Sequence, residues 1–259
     1  MHESLDGART VVSGAADGIG RAIVLDFVRR GAVVHGLDRN LDALMRLDEI
    51  VTSDPRSTGR FVPHQVDLAD REATDRAITV ISALLGDSCD VLVNNVGVST
   101  IRAFSDTDDQ LLDYLIAVNF IAAFRITRHF LPALGASKQG VVVNIASELA
   151  LIGQAGYAAY CASKGAVLAW SRALAVELAP AGIRVNVVCP GPIGTALLEA
   201  DFAASGDGAT ARRTEIAAVP LGRLGTPFDI AAVVTFLASN AAAFVTGATW
   251  VVDGGKTAC

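Results

Sequence analysis

The residues most able to do chemistry lie between Ser147 and Lys164, which read Ser147-Glu-Leu-Ala-Leu-Ile-Gly-Gln-Ala-Gly-Tyr-Ala-Ala-Tyr160-Cys-Ala-Ser-Lys164. From Ala158 to Trp170 the chain has good helix formers and no proline, which predicts a helix. Residues four apart on a helix share a face, with Cβ atoms roughly 5–6 Å apart, so Tyr160 and Lys164 are neighbours. A phenol has a reference pKa of about 10 and is a poor base at neutral pH. A cation about 4 Å away, at an effective dielectric of about 20, contributes roughly 4 kcal/mol. At about 1.36 kcal/mol per pKa unit, that lowers the phenol by on the order of three units. The spacing therefore allows a tyrosine general acid/base near pH 7. Tyr157 is the rival, but it lies seven residues from Lys164, about two turns or roughly 10.5 Å along the axis. A Tyr-x-x-x-Lys pair is also common on ordinary helices, so the pair gains meaning only from the elements around it.

Those elements alternate. Ala8–Ser13 is a β-rich run, Gly14-Ala-Ala-Asp17-Gly18-Ile19-Gly20 a glycine turn, and Arg21–Arg30 an apolar-periodic helix. Such a turn lets the backbone approach a ligand closely, and the helix N-terminus offers N–H groups and partial positive charge to a pyrophosphate. Its spacing is G-x-x-x-G-x-G rather than the commoner G-x-G-x-x-G, and a plain strand–helix turn is the competing reading. A second strand, residues 31–37, ends in Asp38, where a carboxylate can accept hydrogen bonds from an adenosine ribose and repel a 2′-phosphate. Asp38 could instead begin the next helix, and Arg39 partly offsets its charge. Further strands are predicted at 61–66, before Asp67-Leu68, at 90–97, containing Asn94-Asn95-Val96-Gly97, at 140–146, before Ser147, at 183–189, before Pro190-Gly191-Pro-Ile193-Gly-Thr195, and at 248–252. Helices are predicted near 40–53, 70–85, 106–131 (containing Asn119) and 228–238. Asn119, an amide inside an apolar helix, reads either as a satisfied core group or as a functional one. Residues 196–218 lack a strong period and read as a helical, mobile lid near 195–218. Alternating strands and helices predict an α/β fold, a doubly wound parallel sheet with helices on both faces, and ligands on such sheets bind at the carboxyl ends of the strands.

Composition narrows the function classes. The 259 residues show no linker, charge run or repeat, which reads as one domain over 1–259. Hydrophobic residues make up 52%, which suits a sheet covered on both faces and further burial in an oligomer. The net charge is −6 and no basic cluster exists, which argues against nucleic acid or an anionic membrane as partner. Cys89, Cys161, Cys189 and Cys259 form no C-x-x-C, and the N-terminus has no apolar signal segment, so free thiols in the cytoplasm are expected. The four histidines show no metal-ligand spacing. Residues 231–252 carry no charge and are long enough to span a bilayer, but Ser239-Asn240 and Thr246-Gly247 interrupt them, and a helix, a turn and a strand are expected instead.

Taken together, the glycine loop 14–20, Asn94-Asn95-Val96-Gly97, Asn119, Ser147 thirteen residues before Tyr160, Tyr160-x-x-x-Lys164 and Pro190-Gly191-x-x-x-Thr195 resemble the short-chain dehydrogenase/reductase family from Val11 to Gly255. The resemblance implies a Rossmann-like sheet of about seven strands and nicotinamide-dependent redox of an alcohol/carbonyl pair. It implies that Tyr160 exchanges a proton with the substrate oxygen, Ser147 hydrogen-bonds that oxygen, Lys164 lowers the tyrosine pKa and holds the nicotinamide ribose, and Asn119 holds a water relay behind the lysine. It also implies that Thr195 grips the nicotinamide amide, that Asp67 and Leu68 flank the adenine, and that Gly14, Asp17, Gly18, Ile19, Gly20, Asp38, Asn94, Val96, Gly97, Pro190, Gly191 and Ile193 complete the cofactor site. Ser13 and Val96 stand where threonine and alanine are usual; Ser13 keeps the hydroxyl. Homotetramers built on the long helices are a further implication.

The leading expectation is an NAD(H)-dependent dehydrogenase of a small or medium uncharged secondary alcohol, with NADP less favoured because of Asp38. An NADPH-dependent 3-oxoacyl-carrier-protein-type ketoreductase is one alternative, which would want basic residues at the second strand's end. A non-catalytic NAD-sensing protein is another, which has no need for Asn119, Ser147, Tyr160 and Lys164 together. Leu149, Gln154, Tyr157 and Leu197 are the expected substrate-pocket residues, in a largely apolar setting typical of small-molecule sites. Glu148 is expected to point to solvent, and no lysine or arginine falls between 147 and 160 or between 195 and 211 to clamp an anion.

Overall fold

The computed structural model describes residues 4–258, so Cys259 and His2 lie outside the described residues. Seven parallel strands form one sheet: β1 (Arg9–Ser13), β2 (Val33–Asp38), β3 (Arg60–Gln65), β4 (Val91–Asn94), β5 (Val141–Ile145), β6 (Arg184–Pro190) and β7 (Thr249–Val252). Their spatial order is β3-β2-β1-β4-β5-β6-β7. The chain builds outward from β1 to β3, then returns to the other side of β1 with β4. The order therefore reverses between β1 and β4, where the loops that follow the two strands diverge and leave a crevice.

Alternation along each strand sends side chains to opposite faces, and here both faces are apolar. Val12, Val34, Val93 and Val143 meet α1 (Gly18–Arg29) and α9 (Pro227–Ala238) through Ile23, Phe27, Val234 and Leu237. Val11, Leu92, Val142 and Val185 meet α3 (Arg71–Leu85) and α5 (Ala122–Ala136) through Ile78, Ile81, Ile126, Phe130 and Leu134. The near-continuous valine runs thus follow from two-sided burial. The remaining helices are α2 (Leu41–Ser53), α4 (Asp109–Ile116), α6 (Ala158–Leu178), α7 (Ala196–Ala204) and α8 (Gly208–Ala217).

The helix expected near 106–131 starts at Asp109 and continues to Ala136. Asp108 sets its start by accepting the Leu111 N–H at 2.8 Å. Residues 117–121 form a π turn between α4 and α5. By length and composition this helix could cross a membrane, yet Ile126, Phe130 and Leu134 on its inner face are completely buried. Residues 231–252 form the rest of α9, a short 3₁₀ turn and β7, the helix, turn and strand expected from their polar interruptions. The lid region is helical as expected and divides into two helices, Thr195 capping α7 and Asp207 capping α8.

His35 on β2 and His64 on β3 stack with ring centroids 5.2 Å apart, and Nδ1 of His35 lies 3.0 Å from Nε2 of His64. Burial is the main cause that lowers both rings, with His64 and Arg60 adding to the effect on His35, which falls from 6.5 to about 4. The unfolded chain therefore binds more protons between those values, and the folded state loses stability as pH falls from 6.5 toward 4. For His35 alone the full effect is on the order of 3 kcal/mol. Thermal denaturation of the His35→Gln variant across this range is expected to show a shallower acid decline than the parent; equal slopes would place the acid sensitivity elsewhere.

Candidate active site

The carboxyl ends of the strands open into a cavity of about 670 Å³ that runs from the glycine turn to the lid. Ser147, Tyr160 and Lys164 line it together. Ser147 follows β5 and is 8% exposed; its Oγ accepts the Leu149 N–H at 3.1 Å and starts a 3₁₀ turn. Tyr160 sits in the first turn of α6, keeping part of its side chain open to the cavity. Lys164, one turn on, is 3% exposed, and its Nζ donates to the Ile145 carbonyl at 3.1 Å. A Cβ on Gly97 would lie 3.0 Å from that Nζ, so a side chain there would crowd the lysine head and require it to shift.

The electrostatics differ from the spacing argument. Burial pushes the Tyr160 phenol up to about 12, against which the Ser147 hydroxyl is the group that pulls it down. Burial lowers the Lys164 ammonium to about 8. Shared helical face brings the two stems together; one of the three ammonium N–H groups is engaged by the Ile145 carbonyl, and burial disfavours the charged form. The Ser147 hydroxyl is the hydrogen-bond partner that lowers the phenol, and Lys164 stands one helical turn from it.

Of the other expected site residues, Gly14, Asp17, Gly18, Ile19, Asp38, Asp67, Leu68, Val96, Gly97, Pro190, Gly191, Ile193 and Thr195 line the cavity. Gly14 and Gly18 have φ of 65° and 52°, and Asp17 makes no side-chain cap on α1. The first N–H groups of α1 are thus left for a ligand, and Asp38 stands at the end of β2. A glycine turn, an uncapped helix N-terminus and an acid at this position fit a dinucleotide. Asp38 accepts the Ala16 N–H at 3.1 Å and the Asn40 N–H at 2.9 Å. Asn40, rather than Asp38, caps α2.

Three expected residues lie behind the cavity wall. A Cβ on Gly20 would stand 1.9 Å from the Gly14 carbonyl oxygen, so this glycine serves the packing of the turn. Asn94 turns its amide inward, donating to Thr127 Oγ1 at 2.9 Å and Asn144 Oδ1 at 2.7 Å. Asn119, in the π turn, accepts the Val98 N–H at 2.8 Å and donates to the Val98 carbonyl at 3.0 Å and to Ser163 Oγ at 2.9 Å. Its amide fixes the loop after β4 to the helix that carries Tyr160. The wall position expected for Asn94 is taken by Asn95, which donates to the carbonyls of Ser13 and Gly14 at 3.1 and 3.0 Å.

Leu149, Gln154, Tyr157 and Leu197 all line the cavity, but the substrate end is less apolar than expected. Glu148 is buried at 4% exposure rather than solvated, and Lys256 donates to it at 2.7 Å while also pairing with Glu215 on α8. Asp201 on α7, 7% exposed, accepts the hydroxyls of Ser99 at 2.8 Å and Tyr157 at 3.2 Å. Asp201 was discoverable: Leu197, Leu198, Asp201, Phe202 and Ser205 recur at helical spacing and all face the cavity. Lys256 carried no local signal, because the C-terminal segment reaches Glu148 only through the fold.

The fold and this site define a nucleotide-binding oxidoreductase built on a doubly wound sheet. A family model, adh_short_C2, described as enoyl-(acyl carrier protein) reductase, matches residues 14–257. The chain is 34% identical over 258 residues to 2-(S)-hydroxypropyl-CoM dehydrogenase 3 of Xanthobacter autotrophicus, covering 100% of each. It is 33% identical to the 3-oxoacyl-[acyl-carrier-protein] reductase FabG of Thermotoga maritima, over 97% of this chain and 98% of the relative. Among solved structures it is similar, with TM-score 0.91, 36% identity and 99% coverage of each chain, to a protein from Beutenbergia cavernae proposed to be an NAD(P)-dependent gluconate 5-dehydrogenase, with NADP bound at low occupancy. The chain belongs to the short-chain dehydrogenase/reductase family of oxidoreductases.

Because the Ser147 hydroxyl stabilises the phenolate, the Ser147→Ala variant is expected to raise the phenol further. Its activity in alcohol oxidation, which needs the base form, then rises only at higher pH than in the parent. A kcat/KM profile that keeps its position on the pH axis would contradict that role.

Proposed function

We propose that the protein is an NAD(H)-dependent dehydrogenase acting on a small or medium uncharged secondary alcohol and its ketone. The observation that supports this most directly is the convergence of Ser147, Tyr160 and Lys164 on one cavity whose other end holds the glycine turn and Asp38. When bound, a nicotinamide supplies the acceptor of the substrate hydride in oxidation and its donor in reduction. Tyr160 takes the hydroxyl proton as the carbonyl forms and returns it in the reverse direction. Ser147 donates to the same oxygen and holds it against the phenol, and Lys164 keeps a positive charge beside the site. Asn119 acts as a brace that sets Val98 and Ser163 rather than through contact with substrate. An uncharged substrate is favoured because Lys256 near the substrate end is shared by Glu148 and Glu215, and Asp201 adds a further carboxylate to the cavity wall.

The runner-up is an NADPH-dependent ketoreductase of carrier-bound acyl chains. The likeness to the Thermotoga maritima reductase and the presence of Arg39 on the cavity wall favour it. Asp38 opposes it, since a carboxylate at the ribose repels a 2′-phosphate. We also propose a cytoplasmic homotetramer in which α5 and α6 pair with a second copy. Phe124 and Trp170 lie 5.9 Å apart on this side, and Val176 on α6 is 79% exposed. A monomer in light scattering at micromolar concentration would exclude that assembly.

Tyr160→Phe is expected to lower kcat by at least about 10²-fold, the low end for a lost general acid/base, with NADH still bound; Tyr157→Phe is expected to do far less. A fully active Tyr160→Phe enzyme would remove the basis of the proposed mechanism. For the cofactor, kcat/KM is expected to favour NAD over NADP, and Asp38→Ala is expected to narrow the difference. Equal use of both cofactors by the parent would transfer the preference to the runner-up.

A further inference from the structure

Asp201 holds the lid in place with only half of its carboxylate. The hydroxyls of Ser99 and Tyr157, from the loop after β4 and the start of α6, both donate to Oδ2. Oδ1 receives neither. It is also not sealed: among the described residues the enclosed side-chain atoms without a partner are Asn94 Oδ1, Glu148 Oε2 and Trp250 Nε1. Asp201 lines the cavity and is 7% exposed, so the cavity is the space from which a ligand would reach Oδ1.

The charge is equally unexplained by the lid. Among the described residues no lysine or arginine lies within ion-pair distance of Asp201, whereas Glu148 and Glu215 share Lys256. A bracket for two hydroxyl donors needs one acceptor oxygen, which an asparagine would provide without the desolvation cost of a buried carboxylate. What asparagine would lack is a second acceptor aimed into the cavity. The neighbouring Tyr157 ring stands 6.1 Å, centroid to centroid, from the ring of Tyr160. Asp201, Tyr157 and Tyr160 line the same cavity, and the Asp201 charge is among the influences that raise the Tyr160 phenol.

Resting on the dehydrogenase reading above, we propose that Asp201 Oδ1 accepts a hydrogen bond from a second hydroxyl of the substrate. The preferred substrates are then neutral diols and related polyols. Simple secondary alcohols leave this acceptor unpaired, and a carboxylate in the same place meets a like charge.

The test compares 2-butanol, 2,3-butanediol, 1,3-butanediol and 3-amino-2-butanol on the full chain, by kcat/KM with NAD. Their affinity for the enzyme–NADH complex is measured in parallel from the change in NADH fluorescence. A hydrogen bond to a charged group corresponds to roughly tenfold to a hundredfold, so one of the diols is expected to exceed 2-butanol by that factor in both measurements. Asp201→Asn keeps an acceptor for Ser99 and Tyr157, and retained NADH binding shows that it folds; in it the diol advantage is expected to collapse toward unity. Turnover of these alcohols without a diol preference, or a preference that survives in Asp201→Asn, overturns the inference and leaves the dehydrogenase reading standing. A diol preference in binding that Asp201→Asn abolishes, without turnover of any alcohol, supports the inference and defeats the dehydrogenase reading. A larger gain for 3-amino-2-butanol than for either diol puts a cation on Asp201 and overturns the assignment to a hydroxyl.

Discussion

The structure depends on the reversal of strand order between β1 and β4. Parallel strands all end at the same edge, so each β–α loop must leave that edge with its backbone groups unpaired by the sheet. At the reversal the loops part, and the backbone there has to be held by side chains. Asn95 and Ser13 perform this task. Asn95 donates to the carbonyls of Ser13 and Gly14, while Ser13 Oγ accepts the N–H groups of Asn95 and Val96 at 3.0 and 3.2 Å. The glycine turn is thereby fastened to the loop after β4, and the two halves of the crevice keep a fixed separation.

A chain of buried amides carries this order deeper. Asn94 bonds Thr127 and Asn144, and Asn144 donates to Ser171 Oγ at 2.7 Å. These residues join β4 and β5 to α5 and α6, the helix that bears Tyr160 and Lys164. Buried polar groups are costly unless paired, and once paired they allow one register between helix and sheet. Asn119 does the same from the π turn, linking Val98 to Ser163. An extra residue in a helical turn, common at functional sites, moves this amide toward the loop after β4.

The lid is attached on two sides by different means. On the α7 side, neutral hydroxyls meet one carboxylate oxygen of Asp201. On the α8 side, Lys256 bridges Glu215 to Glu148, one residue past Ser147. The second attachment is a buried ion pair, whose formation offsets the desolvation of its partners; removing Lys256 would leave two carboxylates facing each other. Lid position, substrate end and catalytic serine are therefore coupled through a residue at the far end of the chain.

Much of this was legible in the residues. Near-continuous valine runs between helical stretches specified a two-sided parallel sheet, and the glycine turn, Asp38 and the i, i+4 pair Tyr160–Lys164 are local patterns that survive folding because neighbours on the chain create them. Element ends shifted by a few residues where a cap decided, as at Asp108, which starts its helix three residues later than expected. The side-chain destinations were decided only by tertiary structure. Asn94 and Asn95 are adjacent and chemically identical, and strand alternation sent one into the core and the other to the crevice. Glu148 is buried because Lys256, more than a hundred residues away, reaches it. Lys164 shares a helical face with Tyr160, yet one of its N–H groups is held by a carbonyl from β5, and the Ser147 hydroxyl reaches the phenol from another element. Spacing along the chain determines which stems are neighbours; the partner of each charged or polar head is set by desolvation and by which groups the fold leaves unpaired.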